Sequence, residues 1–135
     1  MDLSKSMMIS AAGMKAQTVR MRVISENLAN ANSVANAPGE DPYRRKVITF
    51  VNELNRELGV QEVKVNDVKF DQSDFGLEFE PGHPAADENG YIRTPNVNSL
   101  VEAIDMKQAQ RSYDANLNAI DVSKNMIMRT IDLLR

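Results

Sequence analysis

Apolar residues recur at helical spacing at both ends of the chain and at strand spacing between them. Near the start, Met7, Met14, Met21 and Leu28 repeat every seven residues, and Ala11, Thr18 and Ser25 form a narrow second row beside them. A repeat of that period is the seam of an amphipathic helix. At the other end, Ala103, Met106, Gln110, Tyr113, Leu117, Ile120, Lys124, Ile127, Ile131 and Leu134 follow one another by threes and fours, which predicts a longer helix. Ser99 with Glu102 three residues on matches a capping box and marks its start, just past Pro95, Asn96 and Asn98. With no Pro or Gly from residue 96 onward, that helix can run ~50 Å at ~1.5 Å per residue.

Between the helices the period drops to two. Val47 to Val51 is a β-favouring run, Val63 alternates with Val65, Val68 with Phe70, and Leu77 and Phe79 with Glu78 and Glu80. Asn89-Gly90 before Tyr91-Ile92 is a hairpin signal. Residues 48–58 fit a helix face as well as a strand, because Ile48, Val51, Leu54 and Leu58 share one face; strand is the reading adopted. The pattern predicts a mainly α fold with a small β-rich insertion. Residues 1–36 and 95–135 form a discontinuous terminal-helix domain whose long helices pack as a coiled-coil-like pair, and residues 37–94 carry short strands.

Composition narrows the function classes. The 135 residues are 42% hydrophobic and 26% charged, with no Cys, no Trp and eight Met. Thiolate metal sites, disulfides and cysteine catalysis are therefore excluded. No apolar run approaches the ~20 residues that span a bilayer, and the start lacks the charged and apolar regions of a cleavable signal. The net charge of −3 is unevenly spread, with ten acids against three bases in residues 53–88. That acidic centre argues against wrapping nucleic acid.

Candidate chemistry is thin. His83 in a Pro-Gly-His-Pro stretch is the single histidine and has no spaced partners for a triad or zinc site, so it reads as a turn residue. Glu78, Glu80, Asp87 and Glu88 could pair as acid and base, but alternate carboxylates on a strand read as a solvated face. Arg44, Arg45 and Lys46 could hold phosphate or pair with the acidic middle of an adjacent subunit, and the second reading uses charge the chain itself supplies. Tyr113 sits on the seam with a hydroxyl to satisfy, and Arg111 flanks it. Lys124 on the seam is costly if buried alone and could specify register. No catalytic, cofactor-binding or metal-binding residue is expected.

The stretch SENLANANSVANAPGEDPYRRK, residues 25–46, follows the first helix, and EPGHPAADENGYIRTPNVNSLVEAIDMKQAQRSYDANLNAID precedes and enters the second. Together these ordered blocks resemble bacterial flagellar axial proteins of the rod and hook, and most of all their proximal-rod members. The resemblance runs almost continuously over residues 20–135. It implies a structural subunit, not an enzyme, that polymerises helically with copies of itself and other rod proteins into a drive shaft across the periplasm. It also implies contact with basal-body proteins at the export gate and MS ring, and passage through the flagellar type III export apparatus without a cleaved signal peptide. Neither nucleic acid nor a small-molecule substrate is implied.

In that setting Asn27, Asn30, Asn32 and Asn36 are expected to tie down irregular chain through hydrogen bonds to backbone groups. The expected subunit-interface residues are Met7, Met14, Met21, Leu28, Asn27, Asn30, Asn32, Arg44, Arg45, Arg111, Tyr113, Leu117, Ile120, Lys124, Ile127, Ile131 and Leu134. Two other readings of the same pattern stay open. One is a cytoplasmic coiled-coil adaptor; the other is a membrane-surface helix using Lys5, Lys15, Arg20 and Arg22 opposite its Met row.

Overall fold

The structure, a computed structural model, describes residues 2–57 and 59–134. Its elements in chain order are helix α1 (Leu3–Ala29), strands β1 (Lys46–Asn55), β2 (Val60–Phe70), β3 (Gly76–Phe79) and β4 (Tyr91–Thr94), and helix α2 (Ser99–Leu133). The strands pair as two separate two-stranded sheets, β1 with β2 and β3 with β4. The ambiguous stretch is strand as far as Asn55, which the β-branched run from Val47 favours; Leu58 lies outside the described residues. The chain forms two compact units, one of Met1–Met21, Ile48–Asp67 and Lys107–Arg135, the other of Arg22–Val47 and Val68–Met106.

The two helices pack together within each unit through small residues. In the first unit Ser10, Ala16, Ala109 and Ser123 are buried. A Cβ on Gly13 would lie 3.0 Å from the Asn116 side-chain amide, so the backbone of α1 passes close against α2 there. In the second unit Val23 and Ile24 of α1 are buried, and Asn27 meets Glu102 of α2.

This corrects the expected seams by one residue. Rows spaced by seven can be completed at +3 or +4 with equal regularity, and the sequence pattern favours the +4 rows, Ala11-Thr18-Ser25 and Gln110-Leu117-Lys124. In the fold all six are exposed, while Ser10 and Ile24 on α1 and Ala109 and Ser123 on α2 are buried. The reason is steric. A helix pair this close has room for Ser, Gly and Ala at the contact, and larger side chains such as Leu117 are displaced outward. Met7, Met14, Met21, Leu28, Met106, Tyr113, Ile120 and Ile127, the rows common to both registers, are half-buried.

The α2 start differs too. Asn98, not Ser99, is the cap: its Oδ1 accepts from the N–H groups of Leu100 and Val101 at 3.0 and 3.2 Å. Glu102 is thereby released from the expected capping box and turns inward. At α1, Asp2 does the same work, accepting from Ser4 and Lys5.

The β3–β4 hairpin pairs Gly76 with Thr94, Leu77 with Arg93, Glu78 with Ile92 and Phe79 with Tyr91. Ile92 is buried, so the face it shares with Glu78 is turned toward the rest of its unit. Leu77 and Phe79 point the other way and are 71% and 61% exposed. Asp87 closes the connecting loop by accepting from the N–H groups of Asn89 and Tyr91, and Gly90 takes the positive φ of 82° that the turn requires. A Cβ there would sit 2.9 Å from the Phe79 ring. His83 is half-buried in the same loop, its Nδ1 accepting from the Ala85 N–H.

Candidate functional site

The side chain of Asn27 is the centre of a polar hub within the second unit. It is 1% exposed and uses its full hydrogen-bonding capacity. Its Nδ2 donates to the Lys46 carbonyl at 2.8 Å and to Glu102 Oε2 at 3.1 Å; its Oδ1 accepts from the Lys46 N–H and the Tyr43 hydroxyl, both at 2.9 Å. Chain leaving α1 thus returns as a strand start clamped to the helix it left.

Glu102, equally buried, takes Arg45 Nε on its other oxygen at 2.6 Å. Arg45 also reaches Asp71 at 3.4 Å and Asp105 at 3.9 Å. The Arg45 N–H donates to Asn96 Oδ1, and Asn96 in turn donates to the Asp71 carbonyl and to Ser73. Five separate stretches of sequence therefore meet at one buried carboxylate and one buried amide. A buried ion pair of this kind does little for net stability but penalises any arrangement that leaves a member unpaired.

The charges follow from these contacts. Burial alone would lower the Arg45 pKa, but its hydrogen bond and attraction to Glu102, then to Asp71, outweigh burial and raise it. Burial raises Tyr43. The hydrogen bond and attraction of Glu26, 2.9 Å away, raise Lys46. Asp71 is held below the ordinary aspartate range, first by the Ser73 backbone N–H and hydroxyl and then by Arg45. A carboxyl depressed in the folded state contributes stability that is complete above about pH 4 and lost as pH falls through its folded value. Asp71→Asn is expected to lower the urea midpoint slightly at pH 7 and to make its decline below about pH 4 shallower, so that the variant and wild type converge in acid.

The three basic residues 44–46, expected to reach an adjacent subunit, find partners in their own chain. Arg44 donates to the carbonyls of Asp71 and Ser73 and lies 4.2 Å over the Phe75 ring. Asn30 closes the α1 end by donating to the Glu26 carbonyl while accepting from Ser33. Asn36 is exposed, and Asn32 lines a hollow with Glu78, Glu80 and Ile92. Tyr43, Asp71, Asn96 and Glu102 complete the hub without having been singled out for it. Their signal is faint, because each pairs across 16 to 75 residues of sequence.

A second feature lies on the outside of α2. Leu100, Ile104, Val122, Met126 and Leu133 are 70%, 59%, 58%, 52% and 87% exposed. They lie on one row at spacings of three and four that also holds Lys107, Arg111, Ala115, Asn118 and Arg129, so they form an outward apolar pair, Leu100 and Ile104, in the second unit and an outward apolar cluster, Val122, Met126 and Leu133, in the first. Of the interface residues expected on α2, Arg111 and Lys124 are exposed, as are Leu117, Ile131 and Leu134. Lys124 carries no burial cost.

These residues define a fold lock within the second unit and exposed apolar clusters on α2. The chain has near-full-length relatives. The flagellar basal-body rod protein FlgC of Agrobacterium fabrum is 49% identical over 133 residues, covering 98% of this chain and 96% of that protein. The chain belongs to the FlgC family of flagellar basal-body rod proteins. FlgC of Bacillus subtilis is 36% identical over 95% of each chain, and FlgC of Salmonella typhimurium is 38% identical over 93% of this chain and 92% of its own. Residues 88–133 also match the family described as flagellar basal body rod FlgEFG protein C-terminal. That match takes in β4, Asn96, Glu102 and the outward row as far as Leu133.

Proposed function

We propose that this protein is a structural subunit of the proximal rod, polymerising helically with copies of itself and other rod proteins into the shaft that carries torque across the periplasm. The observation that supports it most is the distribution of apolar side chains. Among the described residues only Ala16, Val23, Ile24, Ile92 and Ala109 are buried hydrophobics, while large apolar residues line the outside of α2. Burying one Leu or Ile is worth roughly 1.5–3 kcal/mol, so this chain reserves much of its apolar surface for neighbours. An exposed apolar cluster such as Val122, Met126 and Leu133 marks an interaction surface.

In this reading residues 1–36 and 95–135 supply the axial contacts, with the 37–94 segment clamped to them by the hub. The subunit passes through the type III export apparatus without a cleaved signal and meets rod proteins and the basal-body proteins of the export gate and MS-ring junction. A coiled-coil adaptor fits less well, because several of the most buried positions between its own helices are Ser10, Ala16, Ala109 and Ser123, where knobs-into-holes packing uses large residues. Cells lacking the chain are expected to be non-motile and to yield basal bodies without a rod, both restored by the wild-type chain. Restoration by a Leu117→Pro chain, with α2 broken in its interior at a cost of about 3 kcal/mol or more, would contradict the reading.

A further inference from the structure

Leu77, the most exposed apolar residue of the β3–β4 hairpin at 71%, lines a hollow of about 150 Å³ with Tyr91, Ala35 and Ala85. Glu40 and Asp87 stand at the same hollow. Asp87 is committed to the backbone of its own loop, and Arg93 is held by Asp41 at 2.8 Å. Glu40 has no ion pair among the described residues. The hollow thus has apolar walls from Leu77, Tyr91, Ala35 and Ala85 and a charged rim of Glu40, Asp87 and Arg93, on which Glu40 is the one carboxylate without a partner of its own among the described residues, in the unit that carries eleven acids against six bases.

The complementary piece belongs to the other unit, where bases outnumber acids ten to eight. At the end of α2, Met126, Arg129 and Leu133 follow one another by three and four residues on the outward row. Leu133 is 87% exposed, the highest value of any large apolar residue described, and Arg129 makes no ion pair among the described residues.

We propose that a second copy of this chain fills the socket: the end of its α2 docks on the outer face of the β3–β4 hairpin, with Leu133 in the hollow and Arg129 beside Glu40. The proposal rests on the rod reading and deepens it by naming a contact between copies. Donor and acceptor surfaces differ, so the contact is heterologous and repeats head to tail instead of closing as a symmetric dimer. One socket is far smaller than the ~800 Å² per partner of a stable complex. The contact therefore adds up only along a polymer, through the high effective concentration that neighbouring contacts create.

The chain has no cysteine, which makes a pairwise cross-link clean. Cells co-express one copy carrying Leu134→Cys and another carrying Ala85→Cys, and isolated basal bodies are oxidised. A mixed disulfide at least tenfold above that of a Leu134→Cys and Asn52→Cys control pair is expected, and none when either variant is present alone. Both variants present in basal bodies without that cross-link would overturn the docking and leave the rod reading standing. Absence of even the wild-type chain from basal bodies would remove both. In parallel, Arg129→Glu is expected to cut swimming at least tenfold and Glu40→Arg in the same chain to restore it; a double variant that stays non-motile would also overturn the docking.

Discussion

Replacing Glu102 with alanine is expected to destabilise the folded chain by about 2–3 kcal/mol, the cost of leaving a buried donor unsatisfied and a partly buried ion pair broken. The loss leaves Arg45 with only its longer contacts to Asp71 and Asp105, and leaves Asn27 with an unpaired donor buried away from water. Against a total stability of about 5–15 kcal/mol for a domain, this is the largest single-site effect the fold offers. Glutamine does not rescue it. Asn27 cannot turn its amide over, because its Oδ1 already accepts from the Lys46 N–H and the Tyr43 hydroxyl, so a Gln Nε2 would face another donor or leave Arg45 facing one. Urea denaturation of the purified chain measures the loss. By contrast, Glu26→Ala removes a more open pair with Lys46 and should cost less than about 1 kcal/mol. Equal losses for Glu26 and Glu102 would show that the hub is not the lock.

The second large effect runs the other way, through assembly with the monomer intact. Val122→Asp combined with Met126→Asp replaces two exposed side chains of the outward cluster. Surface changes of this sort leave stability within about 0.5 kcal/mol per site. The urea midpoint of the purified double variant should therefore match wild type within about 1 kcal/mol, while swimming is abolished, because carboxylates cannot enter an apolar subunit contact unpaired. Normal motility would mean that this face meets solvent in the finished structure.

Much of the fold is legible in the sequence because it is local. The two helices, the strand run from Val47, the Asn89-Gly90 turn and the helix-terminal role of Asn30 all follow from spacing and residue type within a few positions. What is not legible is long-range. Glu102 three residues after Ser99 satisfies a capping box in sequence, and only Arg45, 57 residues away, together with Asn27 draws it inward. The +3 and +4 rows of a heptad are likewise equivalent until the closeness of the partner is known; Gly13 against Asn116 decides for the small row. That choice also explains why the outward row was missed. Leu100, Ile104, Val122 and Met126 lie off the predicted seam, and a pattern read for one apolar face does not look for a second on the same helix.

The most direct test of the central claim is mass spectrometry of the detergent-resistant assembly retrieved through a tag on this chain at its natural level. The account predicts recovery with rod, hook and basal-body ring proteins, and loss of that recovery in the Val122→Asp, Met126→Asp variant. Recovery of the wild-type chain as a soluble species with unrelated partners would contradict it.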